Sequence, residues 1–195
     1  MPRQATAMAE RFAAGVVTPV HQGDCLVSGR QDLMFSTVLG SCISACIRDR
    51  QARIGGMNHF LLAGPTRSAG GRFGQTARYG AFAMEQLINM VLTQGTGRRE
   101  NLEFKVFGGG NIHPGMDDIG LKNIAFVLEF LSDEGYPVFS QDLGGTFARR
   151  LMFQPYSGRA FIKRLDSTGN ARLMREELAI ASRQVKPPAA EIELF

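Results

Sequence analysis

Two of the three cysteines, Cys42 and Cys46, lie in the apolar segment MFSTVLGSCISACIRDR, residues 34–50. A free cysteine is usually a buried apolar side chain, and this is the simplest interpretation of both. In a strand, however, alternate side chains point to opposite faces, which separates the two cysteines from the isoleucine and alanine side chains between them. The sequence therefore leaves two interpretations of Cys42 open, a buried thiol and a nucleophile.

A bend immediately before Cys42 is predicted from Gly40 and Ser41, because glycine tolerates backbone conformations that other residues avoid. At the entrance of a strand, such a bend turns backbone N–H groups outward. These groups can lower the pKa of a thiol and bind an oxyanion, which are the surroundings that a nucleophile needs. Cys46 has no such neighbours and is predicted to be structural.

A cysteine nucleophile also needs a base, most often a histidine that the fold brings close. The chain has three histidines. His21 precedes the first predicted strand, and His113 lies in a glycine-rich loop, whereas His59 lies in the apolar segment GGMNHFLL. A lone histidine in an apolar strand is commonly a buried structural residue. Its place on the strand that follows the Gly-Ser-Cys bend nevertheless makes His59 the best available partner of Cys42.

The composition is that of an ordinary soluble domain. Apolar residues make up 44% of the 195 residues, and no apolar stretch approaches the roughly 18–20 residues that cross a bilayer. Three cysteines are an odd number for a disulfide framework. The first residues show no secretory signal, so the predicted location is the cytoplasm.

Neither a cofactor nor a metal is predicted. The glycine clusters FGGGN and DLGG match no phosphate-binding pattern, and tight turns with positive φ explain them more simply. The adjacent Asp117 and Asp118 are predicted to cap a helix rather than to bind a metal. Residues 148–186 carry nine basic and three acidic side chains, but in GRAFIKRL the charges alternate with apolar residues, as on the solvent face of a strand. No nucleic-acid partner is therefore predicted.

The apolar periodicity predicts a mixed α+β fold. Helices are predicted at 76–93 and 120–133, and a polar helix at about 170–184. Segment 64–75, rich in Gly, Ser and Pro, is predicted to be a mobile loop. Strand-like segments outnumber helices and often follow one another directly, which argues against a regular βαβ series. They are GDCLVS, residues 34–48 with their bend, RIGGMNHFLL, LEFKVFGGGN, PVFSQDLGG, ARRLMFQP and GRAFIKRL.

One domain is predicted, because the chain length falls within the usual range of single domains. Its expected bounds are 21–168. A flexible leader is predicted at 1–20, and a C-terminal helix with a proline-containing tail at 169–195.

An ordered series of motifs over residues 22–165 resembles the CheD-type chemoreceptor glutamine deamidases of bacterial chemotaxis. The motifs are STVLGSCISACIRD, GGMNHFLL, RYGAFAMEQLI, FKVFGGGN, IGLKNIAFV, DLGG and GRAFIKRL. The resemblance implies hydrolysis of particular glutamine side chains of methyl-accepting chemoreceptors to glutamate. The mechanism we expect for this hydrolysis is attack by a cysteine thiol, with a thioester intermediate. The resemblance also implies layered mixed β-sheets flanked by helices, in the α/β/β/α order of the cytotoxic necrotizing factor catalytic domain.

The resemblance assigns roles to particular residues. The family's catalytic cysteine falls on Cys42 and its histidine on His59. The third member of the family's site, a threonine six positions before the cysteine, falls on Ser36, with Thr37 beside it. Either hydroxyl would serve to orient the imidazole, so both Ser36 and Thr37 are candidates.

The partners implied by the resemblance are the cytoplasmic helices of chemoreceptors, as substrate, and a CheC-type phosphatase of the response regulator. Two other interpretations stay open. In one, the chain is a non-catalytic adaptor that binds the phosphatase or the receptor. In the other, the same dyad serves a cysteine peptidase or a transglutaminase-like acyl transferase. Insertion into the membrane is not expected.

Overall fold

The computed structural model describes residues 15–62, 75–112 and 119–165. These ranges contain nine strands and two helices, joined in one place by a short 3-10 turn (Arg99–Asn101). In chain order they are β1 (Val16–Pro19), β2 (Cys25–Ser28), β3 (Leu33–Leu39), β4 (Ile43–Asp49), β5 (Ile54–Asn58), α1 (Gln75–Gln94), β6 (Leu102–Gly108), α2 (Ile119–Asp133), β7 (Val138–Leu143), β8 (Arg149–Gln154) and β9 (Arg159–Arg164).

The strands form two sheets of mixed direction. Sheet A has the order β1-β3-β8-β9, and sheet B has the order β2-β5-β4-β6-β7. One pair in each sheet is parallel, β1 with β3 and β6 with β7, and the other pairs are antiparallel. Because β3 belongs to sheet A and β4 to sheet B, the chain crosses between the sheets at the bend that contains Gly40 and Ser41.

Two apolar cores hold three layers together. Both described helices pack on one face of sheet B, and the other face of sheet B packs against sheet A. The buried side chains between the two sheets are Val20, Leu33, Phe35, Leu39, Cys42, Cys46, Met57, Leu61, Phe107, Leu151 and Phe153. The described residues therefore give the order helices, sheet B, sheet A.

The spacing of apolar residues explains how α1 lies on sheet B. Met84, Leu87 and Val91 recur at helical spacing and are completely buried. The helix ends where the N–H of Gly95 donates to the carbonyl of Val91 at 2.8 Å. A glycine two residues later, with φ +72, then turns the chain away, as is common after a helix.

A buried amide, Asn58 at the end of β5, connects sheet B to α1. Its Oδ1 accepts from the N–H of Ala45 in β4 at 2.9 Å, and its Nδ2 donates to the carbonyl of Ala83 in α1 at 3.0 Å. A buried amide without partners would be destabilising, so these bonds fix α1 against the sheet at this point.

The predicted α+β class is confirmed, with two mixed sheets and helices at the predicted places. The helices expected at 76–93 and 120–133 extend over Gln75–Gln94 and Ile119–Asp133. The fourth layer of the α/β/β/α order is not among the described residues. None of the helices in the described ranges is long and apolar enough to cross a membrane.

The leader predicted over 1–20 needs correction at its end, because Val16–Pro19 form β1. This strand pairs along its whole length with β3. It was not predicted because it has only four residues at the edge of sheet A, and its two valines are about half exposed, so no apolar alternation marks it.

Several predicted features lie outside the described residues. They include the helix at 170–184 and all of the loop 64–75 except its last residue. His113, Asp117 and Asp118 also lie outside.

Candidate active site

Cys42 lies where the chain crosses from sheet A to sheet B, directly before β4. The carbonyls around it are bonded to the turn that follows β6. Gly110 donates its N–H to the carbonyl of Gly40 at 2.6 Å, and Gly109 donates to the carbonyl of Cys42 at 2.8 Å. Cys42 is 3% exposed, and its Sγ lies 3.8 Å from Oε1 of Gln22. The bend is therefore a fixed backbone segment that holds a buried thiol.

The FGGGN motif provides the support for this segment. Gly108 and Gly109 have φ values of +115 and +66, as the prediction of a tight turn requires. A Cβ at Gly108 would lie 2.0 Å from the carbonyl oxygen of Cys42, so only glycine allows this approach. Gly144 of the DLGG motif, with φ +74, donates in turn to the carbonyl of Gly108 at 2.9 Å. Sequence reasoning predicted the turns but missed their contact with the segment that carries Cys42.

His59 and Cys42 lie on the same face of sheet B. Ile43 pairs with Phe60 in an antiparallel bridge, and both side chains point into the core on the helix side. Alternation then directs the residues before them, Cys42 and His59, to the face that meets sheet A. In antiparallel pairing these two are diagonal neighbours, for which a separation of about 7–8 Å is typical. The structure thus places the predicted dyad on adjacent strands and one face.

Thr37, on β3 of sheet A, contacts His59 across the space between the sheets. Its Oγ1 lies 2.9 Å from Nδ1 of His59 and donates to the carbonyl of Val20 at 2.7 Å. Both Thr37 and His59 are 7% exposed. The backbone of His59 is fixed as well, because its N–H donates to the carbonyl of Asp24 at 3.1 Å.

These contacts define the tautomer of His59. The carbonyl of Val20, which can only accept, lies 3.4 Å from Nδ1 of His59. The Thr37 hydroxyl uses its proton on the same carbonyl, so its oxygen accepts from Nδ1–H. Nε2 is therefore the unprotonated nitrogen, and it is buried without a hydrogen-bond partner in the described part of the chain. An imidazole in this state is ready to accept a proton at Nε2.

Burial is the main electrostatic influence on His59. It lowers the pKa of the imidazole to about 4, although the hydrogen bond to Val20 and the charge of Asp24 act in the opposite direction. The ring is consequently neutral near pH 7, which is the state that a general base requires.

The two candidate hydroxyls lie on opposite faces of β3. Thr37 shares the inner face with Phe35 and Leu39, which are buried between the sheets. The side chain of Ser36 is half-buried on the other face. Its backbone carbonyl accepts from the N–H of Val20 at 2.8 Å. Of the two, the structure brings only Thr37 to His59.

The other cysteines and the remaining described histidine have different surroundings. Burial raises the pKa of Cys25 to about 11, and its Sγ contacts the sulfur of Met90 at 3.6 Å. Burial likewise raises the pKa of Cys46, which is 1% exposed. His21 is exposed beyond the end of β1. Cys25 and Cys46 therefore remain protonated thiols at neutral pH, as expected of structural cysteines.

Fold and site together define a mixed α+β protein with a thiol, an imidazole and a hydroxyl gathered between two sheets. A family model described as CheD chemotactic sensory transduction matches residues 61–164. Among similar proteins is the probable chemoreceptor glutamine deamidase CheD of Methylobacillus flagellatus, 47% identical over 85% of this chain and 83% of that protein. The protein of the same name from Caulobacter vibrioides is 51% identical over 78% of this chain and 79% of its own length. The chain belongs to the CheD family.

Two solved structures are distantly similar to this chain. The hypothetical protein YfiH of Bacillus licheniformis is 11% identical, with a TM-score of 0.44 over 74% of this chain and 70% of that one. Protein NMB0706 of Neisseria meningitidis, of family DUF152, is also 11% identical, with a TM-score of 0.41 over 74% and 68%. The predicted similarity to the cytotoxic necrotizing factor domain stays a prediction.

Proposed function

We propose that this protein deamidates glutamine side chains of chemoreceptors to glutamate, with Cys42 as nucleophile and His59 as general base. Membership of the CheD family supports the reaction and the substrate class. The observation that carries the assignment of residues is the orientation of His59. Its Nδ1 is bonded to Thr37, and its unprotonated Nε2 lies on the face of sheet B that carries Cys42.

The first half of the reaction forms a thioester. Nε2 of His59 takes the Sγ proton of Cys42 as the sulfur attacks Cδ of the substrate glutamine, and the amide oxygen becomes an oxyanion. Backbone N–H groups near Ser41 and Cys42 stabilise that oxyanion. Collapse of the tetrahedral intermediate breaks the C–N bond, and the imidazolium protonates the leaving nitrogen, which departs as ammonia.

The second half releases glutamate. A water molecule takes the place of ammonia, and His59 removes one of its protons as the oxygen attacks the thioester carbon. The C–S bond then breaks, and the proton held by the imidazole returns to Cys42. The reaction consumes one water, releases one ammonia and leaves both side chains as they began.

Thr37 is the third member of this proposed site. Its oxygen accepts from Nδ1–H of His59, which keeps the proton on Nδ1 and stabilises the imidazolium that forms at each transfer. Ser36 has no part in the proposal, because it lies on the opposite face of β3. The hydroxyl that orients the histidine is thus five positions before the cysteine.

The cellular setting follows from the substrate class. We place the protein in the cytoplasm, where it acts on the cytoplasmic helices of chemoreceptors, with a CheC-type phosphatase as a further partner. The similarity of its layers to the cytotoxic necrotizing factor catalytic domain is part of the same proposal. All of these rest on family membership rather than on contacts in the described residues.

Mass spectrometry of receptor cytoplasmic fragments tests the proposal directly. We expect the wild type to raise the mass of particular glutamines by conversion to glutamate, and Cys42→Ala to abolish conversion while remaining folded. Thr37→Val should lower the rate about 10–100-fold, because the imidazole loses its main orienting bond. Ser36→Ala is the matched control on the same strand and should keep nearly the wild-type rate.

Other outcomes separate the alternatives. Stable binding of the fragments without conversion would support a non-catalytic adaptor, and incorporation of an added amine would support an acyl transferase. Full activity of Cys42→Ala would contradict the proposed chemistry.

A further inference from the structure

A second buried amide connects the two segments that carry Cys42 and His59. Asn123, near the start of α2, is completely buried. Its Nδ2 donates to the carbonyl of Ser41 at 2.8 Å, and its Oδ1 accepts from the N–H of Leu62 at 2.9 Å. One side chain therefore bonds the residue directly before Cys42 and the segment three residues beyond His59.

We propose that Asn123 is a positioning residue that sets the direction of the peptide between Ser41 and Cys42, and thereby the oxyanion-binding N–H of Cys42. This inference rests on the proposed deamidation mechanism. Asn123 touches no reacting atom, so its effect passes through the backbone. The described residues contain no cis peptide bond. In a trans peptide the N–H points opposite to the carbonyl, so a carbonyl of Ser41 held by Asn123 directs the N–H of Cys42 away from α2.

The preceding peptide is held in the same manner. The carbonyl of Gly40 accepts from Gly110 at 2.6 Å, which directs the N–H of Ser41 away from the glycine turn. Two successive carbonyls are thus fixed by donors from outside the segment, one from the main chain and one from Asn123. Oxyanion-binding groups are effective when their direction is set before the reaction begins. A side-chain amide is well suited here, because one group supplies both a donor and an acceptor.

A purely structural amide would affect stability but not the chemistry of particular steps, so the test compares two reactions of the same thiol. Acyl transfer to Cys42 passes through an oxyanion, whereas alkylation by iodoacetamide is a direct displacement without one. In Asn123→Asp the group facing Ser41 becomes an acceptor, and the bond to its carbonyl is lost. We expect kcat for deamidation to fall about 10–100-fold, with KM and the alkylation rate of Cys42 changed less than about threefold.

Asn58→Asp is the matched control, because Asn58 is also a buried amide that accepts from one backbone N–H and donates to one carbonyl. Its donor bond reaches α1 rather than the nucleophile segment. Any effect of Asn58→Asp should lower deamidation and alkylation together and leave their ratio near the wild-type value. If Asn123→Asp is too unstable to purify, Asn123→Ala removes the same donor. The rates of deamidation and of Cys42 alkylation are both expressed per folded molecule, so a loss of stability does not change the ratio of the two rates.

The outcomes distinguish this inference from the mechanism on which it rests. A ratio unchanged by Asn123→Asp or Asn123→Ala, or reduced equally by Asn58→Asp, overturns the positioning role. Deamidation by Cys42→Ala overturns the proposed mechanism instead, whatever the Asn123 variants do. A ratio that falls only in the Asn123 variants supports the inference.

Discussion

At the scale of single residues, the site depends on which nitrogen of His59 carries a proton. The hydroxyl of Thr37 and the carbonyl of Val20 both lie next to Nδ1. Because the hydroxyl donates its proton to the carbonyl, both oxygens can only accept from Nδ1, and Nδ1 therefore carries the proton. Burial then keeps the ring neutral. In the proposed mechanism, a neutral ring whose Nε2 has no hydrogen-bond partner among the described residues favours proton transfer during attack over a preformed thiolate–imidazolium pair.

The low pKa of His59, about 4, gives a prediction for pH. We expect the acidic limb of kcat/KM to lie near pH 4 rather than near the ordinary histidine value of about 6.5. Stability should change over the same window. An unfolded chain binds a proton at His59 below about pH 6.5, whereas the folded chain does so only near pH 4, so the folded state loses stability as the pH falls between them.

Urea unfolding at pH 7 and pH 4.5 measures this contribution. Between pH 7 and pH 4.5, the free energy of unfolding should fall by about 2–3 kcal/mol more in the wild type than in His59→Gln, because the variant lacks the titrating group. Equal losses in the two proteins, or an acidic limb of kcat/KM near pH 6.5, would contradict the assignment of a buried neutral imidazole.

At the scale of elements, the sequence predicted those features of the fold that leave an apolar periodicity or a family motif. Both helices follow from apolar spacing, and the separation of Cys42 from the helix-side core follows from strand alternation. β1 left no pattern, since an exposed edge strand has no buried face. The choice between Ser36 and Thr37 also lay beyond the sequence. Strand alternation shows that the two hydroxyls point to opposite faces of β3. It does not show which of these faces packs against sheet B, where His59 lies, because that contact joins segments distant in sequence.

The turn after β6 gives a prediction for an element that supports the site. Gly108→Ala should destabilise the protein by about 3 kcal/mol or more, because φ is +115 and the new Cβ would meet the carbonyl of Cys42 at 2.0 Å. Relief of that clash displaces Cys42, the proposed nucleophile, so kcat should fall at least about 10-fold. Urea unfolding and the deamidation assay measure the two effects.

Gly97→Ala is the control for this prediction. Gly97 also has a positive φ, +72, but a Cβ there would have nothing within 4 Å. Backbone strain alone should lower the free energy of unfolding of this variant by about 1 kcal/mol, and kcat should stay at the wild-type value. Similar effects of the two substitutions on kcat would show that the turn after β6 does not position Cys42.

At the scale of the whole molecule, β4 joins a site at one end to a structural centre at the other. Cys42 directly precedes β4, and Asp49 is its last residue. Seven residues of strand at about 3.3 Å each separate the two residues by about 23 Å. The carboxylate of Asp49 is completely buried. Its Oδ1 accepts from the N–H groups of Gln51 and Ala52 at 2.9 Å, and its Oδ2 accepts from the N–H and hydroxyl of Thr96 at 2.8 and 2.6 Å. One side chain thus fixes the turn after β4 and the chain beyond α1.

This separation predicts a variant that loses stability without losing chemistry. In Asp49→Asn an NH₂ group replaces one acceptor oxygen, and in either orientation of the amide it faces two hydrogen-bond donors. We therefore expect the free energy of unfolding at pH 7 to fall by about 2–4 kcal/mol. Because the altered contacts lie at the far end of β4, kcat per folded molecule should stay within about twofold of wild type.

The deficit of Asp49→Asn should also depend on pH. Burial acts to raise the pKa of Asp49, but hydrogen bonds from Ala52, Thr96 and Gln51 outweigh it and hold the pKa below its ordinary value. A lowered pKa gives stability that is present above the unfolded value of about 3.9 and is lost as the pH falls through the folded value. The gap between wild type and Asp49→Asn in urea unfolding should therefore be largest near neutral pH and narrow below about pH 4. A constant gap would mean that the carboxylate charge contributes nothing, and a fall in kcat would mean that the two ends of β4 are coupled through the strand.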